Sequence, residues 1–393
     1  MTEKTEKNIT TISTVLAVML LIVILAVSKI SGTVSIRILL ALFIFLLELP
    51  LVSALEKAKF PSWLATLIAI LVLVVVVVFF VWFVFFSVDL LIKKIPVYAS
   101  RINDLDGVLK SIASRWIEIP EDVSFFSSLE IDWVGSVIMP MLRSVSSSTI
   151  SILSSVLIII LMTVFLLGER HMIVPKVMNF VTNGLEEEKV AVILERIVKQ
   201  VSKYLSIKVF VSLLTGGLFY VIAVSVKLDF AVLWAVMAVV LNFIPTIGSI
   251  IITVLMIVMS IVQFAPSIVP IIIVTVSTIL VQNIIGNFLD PRLSGNSLNL
   301  SPFIILVGLS VFGFVWGIAG MFLAVPLLSI LQIICANVDN TRPIAMLISS
   351  GRSYKKQVKE KHPRFERKGS SRRGLGKGYA NIDDVFTFPD KKK

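Results

Sequence analysis

Asp290 and Arg292, separated by Pro291, are the only charged side chains among the 109 residues between Asp229 and Asp339. A charge at the centre of a bilayer costs about 2.5 to 3.5 kcal/mol on insertion scales, so this island belongs at a membrane edge or in a protein-lined cavity. A carboxylate near an unwound helix end can accept a proton or a sodium ion and change its affinity as the site reorients, which makes Asp290 the leading ion-binding candidate. The structural alternative is a fixed pair with Arg292 or a cap on the following segment, because i,i+2 spacing across a proline permits a bracketing turn. Uncharged hydrogen-bonding groups stand near the same place: Asn242, Thr246, Gln282, Asn283, Asn287 and Ser301. They suit a small polar solute of little net charge, and each can equally serve as an interhelical hydrogen bond. Asn283 and Asn287 are four apart and share a helical face, with Gln282 at its edge. Glu48 is the only other acidic residue well inside an apolar run. It lies about two to three turns from Glu56, Lys57 and Lys59, which reads as an interfacial carboxylate reaching for a helix end, with a titratable role in second place.

The apolar stretches around these residues are interrupted. From Phe230 to Leu289 there are 60 uncharged residues, about three spans' worth, broken near the middle of the first half by Asn242-Phe243-Ile244-Pro245-Thr246-Ile247-Gly248. From Leu293 to Val338 another 46 uncharged residues carry Gly308, Gly313, Gly317, Gly320 and Pro326. Between them an intact helix is expected at about 267 to 289. Backbone freed by a break survives in a membrane only where protein or a water-filled cavity supplies partners, so broken segments point to a transport path. Ordinary proline-kinked spans with glycines for close packing are the plainer reading of the same pattern. Eight plain spans would put Arg292 outside; six spans plus two re-entrant hairpins would put it inside, which the positive-inside preference mildly favours.

Hydrophobic residues make up 57% of the 393 and charged residues 16%, a balance that one soluble core does not need and that implies an all-α polytopic membrane protein. Five ordinary spans are expected at 8–28, 38–55, 61–88, 144–168 and 209–226, giving about eight apolar helical segments with the sixth and eighth broken or re-entrant. The first, Asn8 to Ser28, lacks a cleavage signature and reads as a retained helix. The expected divisions are residues 1–88 as three spans, 89–143 as a water-facing amphipathic insert, and 144–168 as the fourth span. After it come 169–208 as a cytoplasmic or interfacial amphipathic helix, 209–340 as the transport core, and 341–393 as a basic, mostly disordered cytoplasmic tail. In 190–205 the stripe Val190, Ile193, Leu194, Ile197, Val198, Val201 and Leu205 would lie on the membrane surface or pack on a neighbour.

Of the net charge of +11, the stretch Arg342 to Lys393 holds fifteen Lys or Arg against five acids. Positive-inside bias and attraction to anionic lipid account for such a tail without nucleic acid, and they put both termini in the cytoplasm. Cys335 is the single cysteine, so no disulfide framework or cysteine zinc site forms within one chain. His171 and His362 are far apart, which leaves no HExxH, no metal cluster and no serine–histidine arrangement. Gly369 and Gly374 are followed by Leu375 rather than Lys-Ser/Thr, so no ATP-binding loop is present and no cofactor is expected. The chain does not read as an enzyme.

Several late motifs carry a family likeness: Leu241-Asn242-Phe243-Ile244-Pro245-Thr246-Ile247-Gly248, Asp290-Pro291-Arg292-Leu293-Ser294-Gly295, Leu300-Ser301-Pro302, Trp316-Gly317-Ile318-Ala319-Gly320 and Ala324-Val325-Pro326-Leu327. Together they resemble the autoinducer-2 exporter family of bacterial permeases, over nearly the whole chain. The resemblance implies a multi-span permease of the bacterial inner membrane, often oligomeric. Some members are linked to export of the quorum-sensing signal autoinducer-2, others to sodium or lithium/proton antiport. The tail beyond Arg352 matches no motif of the family. Candidate pathway residues are therefore Asn242, Pro245, Thr246, Gly248, Gln282, Asn283, Asn287, Asp290, Pro291, Arg292, Gly295, Ser301, Pro302, Gly317 and Gly320, with Glu48 behind them. Three functions remain open: a gradient-driven exporter of a small hydrophilic solute, a cation/proton antiporter working through Asp290 or Glu48, and a non-transporting membrane scaffold that docks partners.

Overall fold

A computed structural model describes residues 19–20, 22–113, 139–181, 187–294, 299–338 and 341–350. Most of the first expected span, the far part of the outer insert, Gly295 and the basic tail lie outside the described residues. The elements are α1 (Gly32–Lys57), α2 (Ser62–Ala113), α3 (Met139–Gly168), α4 (Arg170–Val181), α5 (Glu187–Ser225), α6 (Ala231–Leu241), α7 (Ile247–Phe264) and α8 (Ile268–Gln282). A π-helical segment Asn283–Leu289 follows, then α9 (Asp290–Ser294), α10 (Pro302–Asn337) and α11 (Arg342–Ile348). Residues 22–30 are helical and lead into α1. Among the described residues there is no strand, only a single antiparallel bridge between Leu300 and Ser349.

Two expected boundaries fall inside continuous helices. The division at 88/89 lies within α2, which runs on through the first half of the insert because no glycine or proline stands at Ser87-Val88-Asp89-Leu90 to stop it. Likewise the amphipathic segment and the fifth span are one helix, α5, and the division at 208/209 falls in its middle. Its apolar stripe packs on neighbours: Val201 and Leu205 join Phe45, Leu46 and Val52 of α1, Leu167 of α3, and Leu323 and Leu328 of α10 in one core. Ala65 and Ala69 of α2 are fully buried there, the small-residue contact that lets membrane helices approach closely. A second core joins Phe219 and Ala223 of α5 to Trp234 and Ala238 of α6, Ile252 and Met256 of α7, and Val274 of α8.

Both interrupted segments fold back on themselves. A Cβ added to Gly248 would stand 1.7 Å from the Leu241 carbonyl oxygen, so α6 and α7 reverse over the intervening turn and only glycine fits at their closest approach. At the open end of this hairpin, Gln263 accepts a hydrogen bond from the Asp229 amide at 2.8 Å and donates one to the Lys227 carbonyl at 2.9 Å. In α10 the backbone leaves helical geometry at Gly317 (φ 63°, ψ −145°). A Cβ on Gly308 would meet Leu328, on Gly313 Met321, and on Gly320 the Phe312 carbonyl oxygen at 1.9 Å. Along a straight helix Gly308 and Leu328 would be about 30 Å apart. α10 is therefore two antiparallel arms with Gly317 at the tip, although by length and composition its 36 residues pass as a single span.

The two hairpins enter from opposite ends of α5. Asn337, at the base of the α10 hairpin, accepts a hydrogen bond from Arg196 near the amino end of α5 at 3.3 Å, whereas the α6–α7 base adjoins the carboxyl end of α5. They overlap inside the molecule: Ile244 packs on Leu309 and Ala324, and the Phe243 and Phe322 rings stack 4.5 Å apart. Among the described residues, six helices are long and apolar enough to cross a membrane, or up to seven when the α3–α4 pair, bent by 78°, is counted as one span. The protein is an all-α integral membrane protein.

Candidate functional site

The turn between α6 and α7 presents its polar residues away from the apolar contact with α10. Asn242, buried at the end of α6, donates from Nδ2 to Ser212 Oγ of α5 at 3.1 Å. Pro245 and Thr246 follow. The Ile247 amide donates to the Pro245 carbonyl at 2.7 Å, closing a three-residue turn on Thr246 at φ 65° and ψ −56°. A β-branched residue at positive φ is a strained geometry, and such strain persists only where the surroundings over-determine it.

The expected intact helix at 267–289 is regular only to Gln282, after which Asn283–Leu289 winds as a π-helix. π segments of this kind recur at functional sites because the wider turn re-aims side chains. Here Gln282, Asn283, Gly286, Asn287 and Asp290 all face one cavity of about 320 Å³, opposite Asn242, Pro245, Thr246, Ser249 and Ile250 of the first hairpin and Lys208 of α5. Asn287 donates to Asn283 Oδ1 at 3.0 Å, and Asn283 donates to the Ile279 carbonyl at 2.9 Å. The buried Gln282 Nε2 has no hydrogen-bond partner among the described residues, so a polar donor is on offer beside the cavity.

Asp290 accepts a hydrogen bond from Lys208 Nζ at 2.9 Å, with the lysine side chain only 6% exposed and the carboxylate 23%. The Arg292 guanidinium lies over the Phe288 ring, 3.6 Å from its centre. Within the membrane-length part of α5, Val190–Ser225, Lys208 stands 18 residues from the start and 17 from the end. The charge pair thus joins the middle of that helix to the last turn of the apolar stretch Ile268–Leu293. Removing one partner from such a pair leaves an uncompensated charge, a loss of about 3 to 5 kcal/mol.

Seven of the sequence candidates, Asn242, Pro245, Thr246, Gln282, Asn283, Asn287 and Asp290, line this cavity. Gly248 shapes its wall by allowing the close turn. Pro291 and Arg292 sit beside it in α9. Ser301 and Pro302 are elsewhere, at the start of α10, where the Ser301 amide donates to the Ile348 carbonyl at 2.9 Å. Gly317 and Gly320 form the α10 tip, close to α1 through the Trp316 Nε1 bond to Ser35 Oγ at 3.0 Å. Gly295 lies outside the described residues. Glu48 is 7% exposed, and its Oε2 has no hydrogen-bond partner among the described residues. Lys208 and Ser249 were not singled out in the sequence. For Lys208 the available signal was a cation at the boundary between the amphipathic segment and the fifth span, a division that has no helix breaker.

Residues 16–340 match the family described as AI-2E family transporter. A Borreliella burgdorferi protein named "Putative transport protein" is 34% identical over 79% of this chain and 83% of its own. A Haemophilus influenzae protein of the same name is 27% identical over 83% and 93%. "AI-2 transport protein TqsA" of Escherichia coli is 25% identical over 82% and 91%. Since the matched region covers most of the sequence and carries both hairpins and the cavity between them, this chain belongs to the AI-2E family of membrane transport proteins.

Proposed function

We propose that the chain is a secondary permease that moves a small hydrophilic solute, of the autoinducer-2 kind, outward across the bacterial inner membrane. The observation that carries this reading is the amide- and hydroxyl-lined cavity of about 320 Å³ between an opposed hairpin and a π-helix. Such groups replace water around a polar solute, and broken helices around a central site are the arrangement alternating access uses. Both termini are cytoplasmic in this reading, the basic tail meets anionic lipid, and the protein assembles with copies of itself.

Uptake of labelled autoinducer-2 into everted membrane vesicles tests the proposal. Asn283→Leu with Asn287→Leu replaces two amides by apolar groups of similar size, and the expected result is at least a tenfold loss of uptake with normal membrane levels. Undiminished uptake would remove this cavity from the path. The antiport reading gains from one observation, that Asp290 reaches the cavity wall.

A further inference from the structure

We infer that Lys208 is a tethered cation that holds the place of a mobile monovalent cation on Asp290. The carboxylate faces the cavity and is more exposed than the lysine paired with it, 23% against 6%, so an ion entering by the cavity meets Asp290 before Lys208. Arg292 does not compete, since its guanidinium is stacked on Phe288. Tyr204, buried on α5 one turn before Lys208, is a further titratable group within electrostatic reach among the described residues. α6, α7, α8 and the turn between the first two bring no charged side chain at all.

One carboxylate in a low-dielectric site stably balances one positive charge. An arriving alkali-metal ion or proton must therefore displace the ammonium, and the ammonium must find oxygen acceptors in exchange. Asn242, Asn283 and Asn287 bring amide oxygens to the same cavity. Oxygen groups of this kind also suit a hard cation, which amides alone hold weakly and a carboxylate holds well. The site thus alternates between lysine on Asp290 and cation on Asp290. Only the second state leaves Lys208 free to bond a solute's oxygens, which couples the ion to the solute. This coupling rests on the proposed transport function, whereas the competition itself does not.

The competition is read by binding alone, on purified full-length protein in detergent, without any solute. In the metal arm, radiolabelled sodium is titrated at fixed pH; in the proton arm, proton uptake is followed against pH with sodium absent. Lys208→Gln is expected to tighten sodium binding at least tenfold, or to raise the pH of half-uptake by at least one unit, and which arm responds identifies the ion. Asp290→Asn abolishes the response, and the neutral double variant carrying both changes also lacks it while remaining folded. Lys208→Met, whose straight apolar chain fills the space of the lysine stem, stands in where the glutamine variant does not assemble. The inference is overturned if lysine removal leaves both titrations unchanged, or if the response survives Asp290→Asn. Failure of vesicle uptake with this competition intact would instead count against the solute reading only.

Discussion

At the scale of single residues, the first hairpin depends on two positions where backbone geometry overrides side-chain preference. Thr246 occupies φ 65°, a region that costs a β-branched residue on the order of 1 to 3 kcal/mol. Thr246→Gly releases that strain while deleting a cavity hydroxyl. The expected outcome is a variant about 1 kcal/mol more stable by thermal unfolding in detergent, yet poorer in transport. A variant no more stable than the native protein would show that the turn is not strained. Gly248→Ala has the opposite sign, because its new Cβ would meet backbone, the Leu241 carbonyl, at 1.7 Å. Neither arm of the hairpin can yield without opening the turn, so destabilisation at the upper end of the overpacking range, about 3 kcal/mol, is expected. An unchanged unfolding midpoint would mean that the two arms are not in contact there.

Helices and their ties explain why some of this was legible in the sequence and some was not. Proline and glycine punctuation gave both breaks, because backbone that cannot continue a helix is a local property. The clustering of Asn283 and Asn287 was likewise visible in their spacing. Gln282 and Asp290 join the same cavity across a segment that changes from α to π winding, and no residue pattern in Asn283–Leu289 announces that change. Lys208 was hidden for another reason: burial of a lysine is decided by the partner 82 residues away, not by its neighbours on α5. The extension of α2 beyond the membrane is held by a similar distant tie. Tyr98 donates to Asp229 at 2.6 Å, Lys94 at 3.0 Å, and Arg101 donates to the Gln263 carbonyl at the base of the first hairpin. Desolvation pushes the Asp229 carboxyl up, but the Tyr98 hydroxyl and the Lys94 ammonium outweigh it and hold the group below its ordinary range. A depressed carboxyl contributes stability above its unfolded pKa of about 3.9 and loses it as pH falls through the lower folded value. Both partners are about a third exposed, so the tie is worth at most about 1 kcal/mol. Hydrogen exchange of residues 94–101 should accelerate as pH is lowered through that window, after correction for intrinsic rates, and Asp229→Asn should show the faster exchange already at neutral pH. Equal protection in the two proteins would discard the tie.

For the molecule as a whole, the arrangement of opposed hairpins makes a claim about sidedness that plain spans contradict. If α10 doubles back at Gly317, its two ends lie on one side of the membrane, and if it were a continuous rod they would lie on opposite sides. The same holds for the ends of the α6–α7 hairpin, which Gln263 ties together through Lys227 and Asp229. Because the hairpins adjoin opposite ends of α5, the two pairs of ends must also differ from each other. A Cys335→Ser background with single cysteines at Asn299, Asn337, Lys227 and Gln263 reads all three statements with a membrane-impermeant maleimide. Asn299→Cys and Asn337→Cys are expected to label from one face, and Lys227→Cys and Gln263→Cys from the other. Gln263→Cys removes a tie while testing it, so Phe264→Cys, the next residue, serves as its control. Labelling of the Asn299 and Asn337 positions from opposite faces would restore a crossing rod in place of the hairpin. The cavity would then lose its inverted partner element, and with it the symmetry that lets one buried site open first to one side and then to the other.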